Sequence, residues 1–200
     1  MLEAKIVTKN NFEQAVATQN AIFANSGKYD NGAIDILKGL SDKLDKEYNM
    51  IEHYLWEDQH QIVGISGLYV YHNNPNNEAW LSRFGVMPNA RKNGYGEQIL
   101  TATKELAKQK GFTTLRLYTS GKLYACKLYE KVGFTGEKYT KELPLNVFGY
   151  KEKIYSISLT SQPVKPWNNQ HLHIIRHELF DSILLTNQKK QKMQKEILRD

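Results

Sequence analysis

The chain has 200 residues, 27 Lys/Arg against 21 Asp/Glu for a formal net charge of +6, and 40% hydrophobic and 24% charged residues. That is chain enough for one core-forming domain with an appendage, and the composition excludes a disordered, collagen-like or disulfide-framework protein, since Cys126 is the single cysteine. No apolar run reaches the roughly 20 residues that span a bilayer, Met1-Leu2-Glu3-Ala4-Lys5 lacks an apolar signal core, and a cytoplasmic protein without a membrane partner is expected.

In chain order, residues 4–8 read as a first strand. Asn10 or Asn11 suits the cap of a helix reaching about residue 25, with Phe12, Ala15, Val16 and Ile22 partly periodic. Ser26-Gly27 breaks it, and residues 32–46 read as a second helix carrying Ile34, Leu37 and Leu44. Residues 50–57 and 61–71 read as strands joined by a turn at Asp58-Gln59. The cluster Asn73-Asn74-Pro75-Asn76-Asn77 is a strong turn former. A strand over 79–87, closed by Pro88, precedes a helix over 96–110. That helix places Ile99, Leu100, Thr103, Leu106 and Ala107 at three- and four-residue spacing and stops at Gly111. Residues 113–119 alternate as a strand should, 122–131 form a short helix, and 134–143 and 153–159 are the last strands.

A domain boundary is expected near residue 160. Gln162-Pro163-Val164-Lys165-Pro166 has the character of a linker, and residues 161–200 read as a helical extension. That extension holds seven Lys/Arg and four Asp/Glu, a net +3, half of the chain's excess charge. The excess is modest and lacks aromatic residues interleaved with the basic ones, so nucleic acid is not favoured as a partner.

Arg91-Lys92-Asn93-Gly94-Tyr95-Gly96, between a strand and a helix, is the most informative segment. Small residues let main-chain N–H groups approach an anion, and the first turn of a helix has unpaired donors. A diphosphate suits that place, with Arg91 or Lys92 adding charge. The segment is neither a dinucleotide fingerprint, because Ile99 stands where the third glycine belongs, nor a Walker loop.

About forty residues on comes Leu128-Tyr129-Glu130-Lys131-Val132-Gly133-Phe134. Together with Arg91-x-x-Gly94-x-Gly96 it resembles the GNAT superfamily of acetyl-coenzyme A-dependent N-acetyltransferases, closely over 86–134 and in element order over 4–159. The resemblance implies an α+β fold: a three-layer αβα arrangement around a mixed, mostly antiparallel twisted sheet, splayed near its fourth and fifth strands. It implies acetyl-coenzyme A as co-substrate, no metal, and a primary amine of a small molecule or peptide as acceptor, attacked directly in a ternary complex. A homodimer is compatible with it. A non-catalytic acyl-coenzyme A sensor on the same fold is the alternative.

The same resemblance assigns roles. The backbone around Phe84 and Val86 pairs with the pantetheine arm, and the amides of Arg91, Lys92, Asn93, Gly94, Tyr95 and Gly96 hold the diphosphate. Tyr129 protonates the departing thiolate; a phenol, ordinarily titrating near about 10, is protonated at neutral pH. Lys122 stands where many members have an asparagine that contacts the cofactor arm, and could reach a phosphate instead.

The residue that deprotonates the amine is read from strand parity. Glu78 would share a face with Trp80, Ser82, Phe84 and Val86 and is the candidate base, with Glu52 as the alternative; Arg83 has the opposite parity and reads as structural. His171, His173 and His177 look like a ligand cluster, but no carboxylate or cysteine completes a set, so no metal site is expected. Cys126 reads as a small buried hydrophobe. The acceptor stays open: Asp30, Asp35, Asp42, Asp45 and Glu47 suit an exposed helix face as well as a polycation site.

Overall fold

The computed structural model describes residues 1–24, 36, 40, 48–72, 74, 77–119, 123–137 and 153–164. Among them seven strands form one sheet: β1 (Glu3–Ile6), β2 (Tyr48–Asp58), β3 (Gln61–Tyr71), β4 (Glu78–Val86), β5 (Thr114–Thr119), β6 (Thr135–Gly136) and β7 (Lys153–Ser158). Their order is β1-β2-β3-β4-β5-β7-β6, antiparallel throughout except for β4 with β5. The helices with described bounds are α1 (Phe12–Ile22), α2 (Tyr95–Gln109) and α3 (Leu123–Lys131). The architecture is α+β, a mixed and mostly antiparallel open sheet with flanking helices.

Elements and boundaries agree with the sequence reading to within a few residues over the described parts. The expected helix over 32–46 apart from residues 36 and 40, Lys122, the expected strand beyond residue 137 and the extension beyond residue 164, with its three histidines, lie outside the described residues.

The β2–β3 hairpin turns through Gln59 and His60, both with positive φ (48° and 64°), the left-handed pair that a two-residue hairpin loop requires. Its strands are buried on both faces. On one face Leu55 and Ile65 pack against Phe12 and Ala15 of α1. On the other, Leu68 and Leu81 pack with Leu100 and Ala107 of α2 and with Tyr129 of α3. Helix α2 presents Ile99, Leu100, Thr103 and Ala107 to the sheet, the expected stripe. Thr103 is a polar member of that stripe, and its hydroxyl bonds Ile99 O and Ser66 Oγ, both at 2.8 Å, so burial leaves it satisfied.

Two irregularities of β4 shape the site. First, β4 and β5 pair only through Glu78↔Thr114, Ala79↔Leu115 and Trp80↔Arg116. From there β5 stays with β7 along its whole length, so the later half of β4 diverges from it and the sheet forks. Second, the β3–β4 register slips by one residue between Ile65 and Gly67, and Arg83 has φ 45°: β4 carries a bulge.

The bulge corrects the expected parity. Trp80 lies with Tyr69, and Ser82 meets His53, on the α1 side. Past the bulge it is Gly85 that faces α1, where a Cβ would stand 2.4 Å from Ile22 Cγ2. Phe84 and Val86 therefore turn to the α2 side, opposite Glu78, Trp80 and Ser82.

Candidate active site

The strand-to-helix connection begins at Val86, passes a 3₁₀ turn over Pro88–Ala90, and enters α2 at Tyr95. Lys92 (φ 67°) and Gly94 (φ 79°) are both left-handed, which turns successive amides of the loop outward. Among the described residues, the main-chain N–H groups of 91–96 donate no hydrogen bond. The first pairing at the start of α2 is Glu97 N to Gly94 O, at 3.2 Å. Six consecutive amides at a helix N-terminus thus remain available to an anion.

The loop is held from behind. The Arg91 guanidinium donates from Nε to Val86 O and from Nη2 to Ile22 O, both at 3.2 Å. It is spent on two carbonyls, fastening the end of α1 to the end of β4, which leaves the exposed Lys92 ammonium as the loop's outward cation. Asn93 Nδ2 makes a long bond to Ala90 O, 3.5 Å, and the Tyr95 hydroxyl donates to Asp58 Oδ2 at 2.8 Å, tying the loop to the hairpin. Gly96 brings the first turn of α2 against α3: a Cβ there would lie 3.2 Å from Leu128 Cδ2.

The fork between β4 and β5 opens into a cavity of about 230 Å³. Its walls include Ser82, Arg83 and Phe84 from β4, Leu117 and Thr119 from β5, and Tyr129 from α3. Arg83, expected to be structural, reaches the wall because the bulge turns it there. Tyr129 packs against the rings of Phe84 and Phe134, each at 6.1 Å, and Tyr155 at 5.9 Å. Burial, ahead of small contributions from Cys126 and Tyr124, pushes its phenol well above the ordinary value, so it stays protonated. Among the described residues its hydroxyl has no hydrogen-bond partner, which leaves that proton for a visitor to the cavity.

The candidate bases are not brought there. Glu78 lies at the closed end of the fork, buried, with both carboxylate oxygens bound by Arg116 at 2.9 and 3.0 Å. Glu52 lies on the α2 side, taken by the Tyr54 hydroxyl and by Lys110 Nζ at 2.7 Å. Among the described residues no carboxylate lines the cavity. Ser82, Arg83 and the pair of Ser82 with His53 were missed by sequence reasoning. One signal pointed to them: a glycine, Gly67, inside an otherwise bulky strand marks a close approach by a neighbour.

The molecule has known relatives. Residues 28–134 match the acetyltransferase (GNAT) family. Over 99 residues the chain is 31% identical to the uncharacterized N-acetyltransferase YycN of Bacillus subtilis (strain 168), an alignment spanning 48% of this chain and 64% of that protein. The fold is similar to that of the ribosomal-protein-S18-alanine N-acetyltransferase of Escherichia coli, with TM-score 0.60, 15% identity, 84% of this chain and all of that one. It is also similar to the IAA acetyltransferase of Bacillus cereus ATCC 14579 (TM-score 0.57, 12% identity, 79% and 99% coverage) and to a GNAT acetyltransferase of Staphylococcus aureus Mu50 (0.58, 19%, 80% and 100%). At such identities the structures speak for the fold, and the matched segment, 107 of 200 residues, speaks for the lineage: the chain belongs to the GNAT family of acetyltransferases.

Proposed function

We propose that the protein moves the acetyl group of acetyl-coenzyme A onto a primary amine of a small molecule or peptide, by direct attack in a ternary complex. One observation carries this reading: beyond Trp80 the edge of β4 is released by β5 beside a cavity walled by the protonated, buried Tyr129, and the same strand leads on to a helix head whose six amides at 91–96 have no partner among the described residues. The residues fit the co-substrate. The amides of Arg91, Lys92, Asn93, Gly94, Tyr95 and Gly96 face outward for a diphosphate, Lys92 adds charge, and the edge of β4 around Phe84 and Val86 offers main-chain groups to an amide-bearing arm. A main-chain N–H of that edge polarises the thioester carbonyl, in the manner of an oxyanion hole. The nitrogen–carbon bond forms, the carbon–sulfur bond breaks, and Tyr129 gives its proton to the leaving sulfur.

Residues 1–160 form the transferase domain in this reading, and 161–200 a helical extension; the protein works in the cytoplasm. Among the described residues no helix is long and apolar enough to cross a membrane. The test is thiol release from acetyl-coenzyme A in the presence of an alanine-initiated peptide, free amino acids, spermidine or an aminoglycoside. Amine-dependent release with acetylated product is the expected result. Tight binding of acetyl-coenzyme A with no transfer to any amine would make the protein an acyl-coenzyme A sensor instead.

A further inference from the structure

We propose that Ser82 and His53 form the proton relay that deprotonates the attacking amine. This rests on the acetyl-transfer reading above and supplies the base that neither Glu78 nor Glu52 is placed to be. His53 on β2 is opposite Gly67 on β3, which is opposite Ser82 on β4, so the three form one row across the sheet. Because Gly67 has no side chain, the imidazole lies over it: a Cβ at residue 67 would stand 2.6 Å from His53 Cδ2 and 3.1 Å from its Nε2. The ring thereby crosses a whole strand and brings Nε2 to 3.2 Å from Ser82 Oγ. Both residues are buried, yet Ser82 is part of the cavity wall.

The placement suits the chemistry. Ser82 belongs to the α1 side of the sheet, while Tyr129 reaches the same cavity from the α2–α3 side. A proton acceptor and a proton donor therefore approach the cavity from opposite faces, as a transfer between two substrates needs. The bulge right after Ser82 is what separates it from Phe84 and the cofactor edge. A buried hydroxyl alone is a poor base; an imidazole behind it, the side chain that titrates nearest neutrality, makes it a competent one.

The step balances as follows. The amine lone pair forms the bond to the acetyl carbon, and the amine's proton passes to Ser82 Oγ. The Ser82 hydroxyl proton passes to His53 Nε2. The carbon–sulfur electron pair leaves with sulfur, which takes the Tyr129 proton. When the products depart, a proton returning from His53 through cavity water to Tyr129 restores both groups. Ser82 is the catalytic residue of this pair and His53 acts through it.

Two measurements on the full chain decide the matter. With acetyl-coenzyme A and whichever amine of the panel turns over fastest, Ser82→Ala and His53→Gln should each lower kcat by roughly 10²-fold. The double variant should be no slower than either single one, because both cut the same relay. Calorimetric affinity for acetyl-coenzyme A should not change, and Ser82→Thr, which returns the hydroxyl, should recover most of kcat. Independently of activity, ¹⁵N spectra of histidine-labelled protein should show His53 Nε2 without a proton at neutral pH, and its resonance should move in Ser82→Ala. If His53→Gln does not fold, Ser82→Ala and the spectra carry the test. Wild-type transfer with Ser82→Ala retaining its kcat, or an Nε2 that carries a proton, overturns the relay alone. Wild-type protein that binds acetyl-coenzyme A but acetylates no amine overturns the transfer reading, and the relay with it.

Discussion

Arg116 of β5 holds both carboxylate oxygens of Glu78 of β4, through Nε at 2.9 Å and Nη2 at 3.0 Å, at the point where the two strands part. Its remaining Nη1 reaches Glu137, just beyond β6, and the guanidinium is fully buried. The ion pair clamps the closed end of the fork, so Glu78 has a structural task. Replacing Glu78 with Ala takes two charge-assisted hydrogen bonds from a buried guanidinium that keeps its Glu137 contact, and should cost about 2–3 kcal/mol in urea unfolding. Glu78→Gln, measured well below its melting temperature, should keep kcat. A Glu78→Gln protein of wild-type stability but with kcat lost would return this carboxylate to the role of base.

The parts of this site that could be read in the sequence are the local ones. Helix α2 and its glycine loop were legible because a strong 3.6-residue stripe and two glycines lie within twenty residues; Gly94 at φ 79° is the left-handed residue such a turn calls for. The order of elements along the chain was legible from periodicity and turn residues, and the mixed, mostly antiparallel sheet followed from the family resemblance. What parity could not foresee was the bulge at Arg83: an inserted residue leaves no mark on a run such as Ser82-Arg83-Phe84-Gly85. It moved Phe84 and Val86 to the other face and brought Arg83 to the cavity. The Glu78–Arg116 and His53–Ser82 pairs were hidden for a different reason, since their partners lie 38 and 29 residues apart and meet only through sheet register.

Tyr129 makes the sharpest kinetic prediction. Removing its hydroxyl with Tyr129→Phe should reduce kcat by roughly 10²-fold, the ordinary worth of a positioned general acid. The ring contacts with Phe84, Phe134 and Tyr155 persist, and no hydrogen bond among the described residues is lost, so melting temperature and acetyl-coenzyme A affinity should hold. Steady-state kinetics beside calorimetry checks this; unchanged turnover removes the tyrosine from the chemistry.

At the loop, Gly94→Val should weaken acetyl-coenzyme A. A Cβ there has room, with Gln98 Nε2 the nearest atom at 3.6 Å, so the penalty comes from φ 79° and not from a clash. A left-handed L-residue costs roughly 1–2 kcal/mol, more when β-branched, and the loop can escape only by turning its amides away. Affinity should fall about 10-fold if about 1.4 kcal/mol of that strain is released by the misaligned loop. Equal affinity for the variant and the wild type would discount these amides as the diphosphate site.

High pH offers a test of the buried phenols. Burial is the largest cause holding Tyr129 and Tyr54 above the ordinary tyrosine value, with the Glu52 carboxylate adding to it for Tyr54. Their folded-state values are raised, so the stability they contribute is fully present below the unfolded value of about 10 and is lost as pH climbs past it toward the folded values. The urea midpoint should hold steady up to about pH 9.5 and fall above about pH 10. Tyrosinate absorbance for these two rings should appear only with unfolding. A midpoint that does not change through that range would contradict their assigned burial.

In the proposed complex acetyl-coenzyme A lies along the forked edge of β4 with its diphosphate on the amides at the head of α2. The most direct measurement is an amide ¹H–¹⁵N titration of the full chain with acetyl-coenzyme A. Saturable shifts are expected, concentrated at residues 84–86 and 91–96, with Gly94 and Gly96 among the largest. Saturable binding that leaves those amides unmoved, or no binding at all by the folded protein, would contradict it.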